Sequence, residues 1–580
     1  MRGIIKKKLN LDRGRRWSLT PLWITGNVMK TLTTLAILLA TTSLASAASN
    51  ESFILQAGHR NHAFAGQTGG NNTQATVQFG RHNGAATLQD NAGSHTNESG
   101  ILQIGDYNGA IARQTGGNNK QGTIQGGVGN FALTTQQGSS HSGKINDSTT
   151  AQFGFGNGSI VSQKDGNNKQ TTLQVGAGNF AATAQDNAGN DNNKSTITQF
   201  GGFNRAFANQ TGGNNTQDTL SVGLGNFALT DQNQSDGANK STTLQFGAFN
   251  GSIVGQTGGN NDQGTLQFGH GNFSLTGQNT NALGGSNGAG TGQFGGGNKS
   301  FTFQNSSGAQ ASVGPYTFDG WGWYGPVHAT GLTYGADAAY GGGVNGSLTL
   351  QAGKDNTSIT TQDATGARTS TSEYGTYGSG WSTAYGQYTY PNGLGLNGVD
   401  NNAATLQFGN RNFAWTNQNG ANVLPVSNDS LVAQFGDDNG ALVSQKNGLN
   451  GQATLQFGKH NFAVTSQTNT STSGLLPTAN AAATIQAGKY NRAFTSQSVA
   501  NPLAAGLNGS LIAQFGVGNT AIASQQTGLQ PMIGANLNTQ ATVQVGYGNY
   551  AVTAQNSASV SNTSVTAQFG SGNHAITVQH

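Results

Sequence analysis

The sequence predicts an all-β protein, a β-solenoid of about 19 strand-turn-strand rungs stacked in cross-β fashion. Three observations carry that prediction. A unit Gln-x-Gly-x-x-Asn-x-(Ala/Ser)-x-x-x-Gln recurs nineteen times, its first position running from Gln56 to Gln568, and only Ser221 departs from the leading Gln. Within each unit the side chains alternate with period two, and helical spacing is absent. The composition suits a chain that stacks on itself: 91 Gly, no Cys and only 8% charged residues, against roughly 25% in an ordinary globular domain.

The elements follow in chain order. Residues 1–28 read as an extra N-terminal extension, with Met29 as the expected start. Residues 29–47 read as a signal peptide: Met29-Lys30, the apolar run "TLTTLAILLATTSL", then the small-x-small signature Ala45-Ser46-Ala47. Eight Lys or Arg and one acid lie within residues 1–30. The remainder holds 18 basic and 21 acidic residues, which removes the electrostatic motive for nucleic-acid binding. An exported chain without Cys has no disulfide framework to lean on.

Rungs 1–11 occupy 48–304, rung 12 occupies 346–365 and rungs 13–19 occupy 401–580. The shortest spacing between copies is 22 residues, while those flanking Gln351 are 58 and 56, so length varies in one connection. In the copy at Gln407, Thr405 and Gln407 before the turn and Ala414, Thr416 and Gln418 after it form one alternating set. Leu406 and Phe408 before the turn and Phe413 and Trp415 after it form the other. Gly-x-x-Asn supplies the turn, because Gly and Asn tolerate left-handed backbone. An outer connection, often "TGGNN" (from Thr68, Thr115, Thr211 or Thr257), leads to the next rung. The alternating runs look about five residues long, short of the ~9–11 of a membrane-barrel strand.

Register stacking would set equivalent amides about 4.8 Å apart. The expected ladder positions include Gln56, Asn61 and Gln67; Gln78, Asn83 and Gln89; Gln174, Asn179 and Gln185; and Gln267, Asn272 and Gln278. They continue with Gln407, Asn412 and Gln418; Gln456, Asn461 and Gln467; Gln544, Asn549 and Gln555; and Gln568, Asn573 and Gln579. A slip of one rung would preserve nearly every contact, whereas a slip of one residue would exchange the two faces.

Insertions at 305–345 and 366–400 hold nine of the thirteen Tyr and three of the six Trp. Trp321, Trp323, Tyr324, Trp381 and Tyr388 are the candidate ligand contacts, since Tyr and Trp make adaptable stacking surfaces. The competing reading is tolerated loops packed on the stack. Turn charges such as His59-Arg60, Arg81-His82, Lys354-Asp355, Asp437-Asp438 and Lys459-His460 fit gatekeepers against edge association, or ordinary solvated turns.

Chemistry of other kinds finds no foothold. Only three Glu are present, no nucleophile elbow or phosphate loop occurs, and the ten His lack ligand spacing. The reading is therefore not an enzyme, with no catalytic residue, no metal and no cofactor.

"QVGAGNFAATAQ" from Gln174 and "QVGYGNYAVTAQ" from Gln544 resemble the curlin repeat of curli, the extracellular amyloid fibres of bacteria. Nine copies keep that family's second turn Gly. The resemblance implies a secreted structural subunit on the bacterial cell surface that forms fibres serving adhesion and biofilm matrix. It implies self-association into a homopolymer, a curli-type nucleator, an outer-membrane secretion machinery and host or matrix surfaces as partners. It further implies that Gln, Asn and Ala face the narrow interior. Hydrophobic logic alone would bury Leu406, Phe408 and Phe413 instead.

The chain departs from curli subunits in its nineteen rungs, its insertions and a first rung that begins near Phe53, just past the cleavage signature. Open solenoid edges at the first and last rungs are expected to template the next chain end to end. The rivals are a non-polymerising surface adhesin whose insertions bind a ligand, and an ice-binding solenoid with a flat Thr array.

Overall fold

The computed structural model describes residues 50–91, 95–138, 144–187, 192–233, 237–280, 285–307, 316–322, 325–331, 343–365, 373–379, 382–388, 399–420, 426–469, 478–499, 505–527, 535–557 and 561–580. The expected extension and signal peptide lie outside the described residues. What is described is entirely β, in two 19-stranded parallel sheets and two short hairpins.

Each rung contributes a leading strand to one sheet and a return strand to the other. The leading sheet is paired stepwise from Asn50–His59 to Asn562–Ser571, the return sheet from His62–Gly69 to His574–Gln579. Register is strict: Gln56 pairs with Gln78 and Gln78 with Gln103, and across the second insertion Gln351 pairs with Gln407. The chain is a β-solenoid of nineteen rungs, so its eighteen steps make it ~86 Å long at about 4.8 Å per rung.

Leading strands run 10 to 13 residues and return strands 6 to 9. Both exceed the five-residue runs legible in the sequence. The reason is in the outer connection: the second Asn of "TGGNN" already belongs to the next leading strand, as Asn72 opens Asn72–Arg81. Strand length therefore does not argue against a membrane barrel. The parallel stacking does, because such barrels are antiparallel.

Burial decides the faces. Asn72, Gln74, Thr76 and Gln78 of one leading strand are buried, as are Thr87 and Gln89 of its return strand. Leu406 and Phe408 are half-buried at the surface, Phe413 is 37% exposed and Trp415 is 44% exposed. The interior is polar and the outer faces are apolar, the reverse of the usual parallel sheet. Thr405 and Thr416 point inward, so the Thr columns offer no flat surface array for ice.

The turn explains its two glycines separately. Gly409 adopts φ 118°, and a Cβ there would lie 2.0 Å from the carbonyl oxygen of Gly436 on the next rung. That position is Gly in all nineteen copies. The second turn residue is left-handed whether or not it is Gly: Gly156 has φ 63°, Arg411 53° and Asp438 57°. A side chain there costs roughly 1–2 kcal/mol of backbone strain and meets no backbone of the next rung at close range, only side chains at some copies, such as Phe203 beside Gly178.

Below the single-rung repeat lies a two-rung one. In rungs 3 to 10 the residue four before the first Gln alternates Ser and Gln: Ser99 and Gln121, Ser148 and Gln170, Ser195 and Gln217, Ser241 and Gln263. Each Ser Oγ donates to the Gln Oε1 of the following rung at 2.8–2.9 Å. That Gln in turn donates to the Thr two residues on, as Gln121 does to Thr123. Volume compensates. Ser99 shares its rung with Ile101 and Ala112, whereas Gln121 shares its rung with Thr123 and Thr134. The 22-residue spacing falls inside these pairs.

Both insertions leave the same edge, between a return strand and the next leading strand. Their described parts are antiparallel hairpins, Tyr316–Gly322 with Gly325–Gly331 and Glu373–Ser379 with Ser382–Tyr388. Tyr316–Gly322 also lies against Ser382–Tyr388. The rung strands reach into the first insertion as bounded from sequence, through Lys299–Ser307 and Val344–Lys354.

Replacing Gly436 by Ala should cost ~3 kcal/mol or more and split the stack locally, since its Cβ would sit 2.0 Å from the Gly458 carbonyl oxygen. Gly156→Ala, with open space around its Cβ, should cost only about 1 kcal/mol. Denaturant unfolding followed by circular dichroism compares the two, and equal costs would refute this account of the turn.

Candidate functional site: the stacked amide ladders

The residues singled out by the repeat stand in continuous columns. In the first Gln column, Gln56 Nε2 donates to Gln78 Oε1 at 2.6 Å and Gln78 to Gln103 at 2.7 Å. The same link joins Gln174 to Gln199, Gln267 to Gln293, Gln407 to Gln434, Gln456 to Gln486 and Gln544 to Gln568, all at 2.8 Å. The second column runs from Gln67 through Gln89 to Gln579. Its links from Gln185, Gln278, Gln418, Gln467 and Gln555 measure 2.7–2.9 Å. Each Gln keeps its second amide hydrogen for a main-chain carbonyl, as Gln456 does for Gly440 O at 2.9 Å.

The turn Asn column runs the other way. Asn83 Nδ2 donates back to Asn61 Oδ1, and the same holds for Asn179, Asn272, Asn412, Asn461, Asn549 and Asn573 with the Asn of their preceding rungs, at 2.8–3.2 Å. The receiving oxygen also accepts the backbone N–H of the later Asn, as Asn61 Oδ1 does from Asn83 at 3.1 Å. The other amide hydrogen reaches forward to a turn carbonyl, as from Asn412 to Gly436 O at 2.7 Å.

A fourth column was missed in the sequence. The Asn six residues before each first Gln, from Asn50 to Asn562, also stacks: Asn72 donates to Asn50 at 2.9 Å, Asn345 to Asn287 at 2.9 Å and Asn401 to Asn345 at 3.0 Å. This column passes through both insertions without a break. Its signal was present as the last letter of "TGGNN", read there as connection rather than strand.

These four columns are buried and self-satisfied. A lone buried amide would cost ~1–3 kcal/mol, whereas each bond made contributes a net ~0.5–1.5 kcal/mol. The rung led by Ser221 carries the faults: the Ser221 hydroxyl reaches Gln245 at 3.1 Å while the Gln199 amide is left with the Phe180 carbonyl at 3.1 Å, and Asn226 in the same rung bonds Asn204 Oδ1 through its backbone N–H.

Among the described residues no charged side chain is fully buried. In rungs 13–15 the turn edge carries Arg411 bidentate on Asp438, 2.7 Å for both bonds, and Lys459 on Asp437 at 2.9 Å. The hydrogen bond from Arg411 holds the Asp438 carboxyl below its ordinary range, and that from Lys459, joined by Asn410, does the same for Asp437. These pairs link neighbouring rungs and sit in solvent.

Trp323, Tyr324 and Trp381 lie outside the described residues. Trp321 and Tyr388 are placed only as positions on the hairpin strands Tyr316–Gly322 and Ser382–Tyr388. Among the described residues the site is the ladder array itself. Comparison with known families and with curated proteins gives no match.

Ser221→Gln should complete the first column and stabilise the chain by about 1 kcal/mol, while Gln456→Ala, which strands both neighbours and opens a void, should cost ~2–4 kcal/mol. Chemical denaturation reads both, and a destabilising Ser221→Gln would count against the ladder account. The folded carboxyls of Asp437 and Asp438 lie below the unfolded value near 3.9, so their contribution is present above about pH 4 and lost as pH falls through the depressed values. The interior holds no titratable side chain among the described residues, so thermal melts should show only a small loss, confined to strongly acid solution and reduced by Asp437→Asn with Asp438→Asn.

Proposed function

We propose that the chain is a secreted structural subunit of curli-like amyloid fibres on the bacterial cell surface, polymerising end to end through open solenoid edges and serving adhesion and biofilm matrix. The observation that carries this reading is that every rung except the one led by Ser221 offers the same directional set of amides. The Gln columns donate toward the C-terminus and the Asn columns toward the N-terminus. A rung of another copy can thus continue all four columns, but only with its N-terminal side on the C-terminal side of the first. Such a contact is head-to-tail and unclosed, the kind that builds filaments. The resemblance of the repeat to curlin supplies the biological setting.

A second reading has one observation in its favour. The two insertion hairpins leave one edge and lie against each other, which brings two Tyr- and Trp-rich insertion sequences together, as a non-polymerising surface adhesin would use them. The deletion that tests it must spare Asn305 and Asn345, which belong to rung strands and bond to neighbouring rungs.

Purified chain incubated at neutral pH should form fibres with a meridional reflection near ~4.8 Å, seen by fibre diffraction and electron microscopy. A stable, β-rich monomer that forms no fibres would overturn the polymer reading. In that case loss of surface binding on replacing 308–342 by a short Gly/Ser link would support the adhesin.

A further inference from the structure

From the surface of the leading sheet we infer a second, lateral contact: the chain pairs face to face with another copy of itself through the outer face of its leading strands, chiefly in rungs 12–19. This goes beyond polymerisation, because it uses the sheet face rather than the solenoid edge and would hold for single chains or for filaments.

The positions on either side of the first Gln lie on the outer parity of the leading sheet and form two columns along the whole solenoid, although in the first of them Ile124, Ala151, Leu173, Ala433 and Ala513 are buried beneath their neighbours. Neither column contains a charged residue in any of the nineteen rungs. Phenylalanines stack within them, Phe408 on Phe435 at 5.2 Å and Phe435 on Phe457 at 5.1 Å, with interplanar angles of 2° and 5°. The outer face of the return sheet is poorer. It has one continuous apolar column; on one side of it seven aromatic residues such as Phe180 and Phe462 stand among Gly and cations such as Arg205, Lys299 and Arg492, and on the other side lie mostly small and polar residues with Arg113 and Asp231.

The leading face differs between its two halves. In rungs 1–10 the outward position five before the first Gln is charged in eight cases, as at Glu98, Lys120 and Lys169, and only two of those rungs lack such a charge. In rungs 11–19 Asp429 is the one charge at that position, and Gly, Ala, Thr and Asn fill the others. There a third column becomes apolar, with Leu348 54% and Leu511 38% exposed. On the opposite, turn-side flank this half keeps Lys354, Asp437, Lys459 and Lys489, so it is neutral only on the third-column side; charged flanks oppose sheet association, and it is their loss on that side that admits a partner.

The occupant follows from period and area. A rigid surface that repeats every ~4.8 Å is matched along its length only by a surface of the same repeat, and another copy has one. Three columns span about 14 Å across a strand and eight rungs about 34 Å along the axis, so the neutral half alone offers roughly 500 Å². Continued along the two-column stripe, the contact reaches the ~800 Å² per partner of a stable interface. Paired sheets at about 10 Å would remove the phenylalanine edges from water.

The test uses full-length chain and compares two triple variants that alter only outward-facing positions. One is Leu431→Lys, Phe457→Lys, Leu511→Lys in the neutral half, and the other is Phe79→Lys, Ile104→Lys, Phe153→Lys in the charged half. Sedimentation velocity on unpolymerised chain, or mass per length of fibres by scanning transmission microscopy, should show two solenoids side by side for the parent. One solenoid is expected for the first variant, and a smaller change for the second. The meridional spacing should be unchanged, which separates failure of lateral pairing from failure of rung stacking. Because the chain has no Cys, a single Leu455→Cys in the central column should give oxidised dimers and Ile522→Cys on the return face should not. A parent that is one solenoid wide, or equal cross-linking from both faces, would overturn the inference.

Discussion

Everything in this fold depends on an amide finding its own kind one rung away. A buried Gln or Asn is among the costlier side chains to desolvate, and each carries two donors and one acceptor oxygen. Parallel in-register stacking meets that demand with no outside help: Gln456 accepts from Gln434, donates to Gln486 and gives its remaining hydrogen to the Gly440 carbonyl. The same step that satisfies the side chain also sets the strand spacing. Side-chain and backbone bonds therefore reinforce one register, and chains of such bonds polarise one another.

That constraint passes outward to the turns. Holding successive rungs at the ladder distance brings turn backbones so close that the first turn residue has no room for a Cβ, which is why Gly409, Gly436 and Gly458 follow one another. It also sets what a polar interior can contain. Where Ile197 or Val432 replaces an inward Thr, Ala208 or Val443 stands beside it and the paired site becomes a small dry cluster. Apolar bulk is otherwise sent to the surface, leaving a solenoid with a polar core and greasy sheets.

A stack of near-identical rungs carries a hazard of slipping by whole rungs. Several features here break the degeneracy. The Ser-to-Gln relay gives adjacent rungs different interiors, so a one-rung slip would set Gln against Gln at the site where Ser99 now meets Gln121. The ion pairs of Arg411 with Asp438 and of Lys459 with Asp437 join particular neighbours. Individually such exposed pairs contribute little; as labels of register they add to the relay. The directionality of the four columns acts at a larger scale, giving every rung a distinguishable front and back.

The repeat, its period-two alternation and its Gly-x-x-Asn turns determined the rung count, the strand-turn-strand unit and three of the four amide columns, because those signals recur at fixed offsets within twelve residues. The fourth column, through Asn72 and Asn345, was written in the same letters but lay across a connection of variable length, where spacing alone does not say whether an Asn ends a loop or opens a strand. The two-rung alternation was hidden for a related reason: Ser99, Ile101 and Ala112 trade volume with Gln121, Thr123 and Thr134 only once the rungs are stacked. Which face turned inward was likewise beyond local sequence. On hydrophobicity alone Leu406 and Phe408 would displace Thr405 and Gln407 from the interior. Tertiary structure decided it, because only inside the coil do the amides meet partners at hydrogen-bonding distance on both sides.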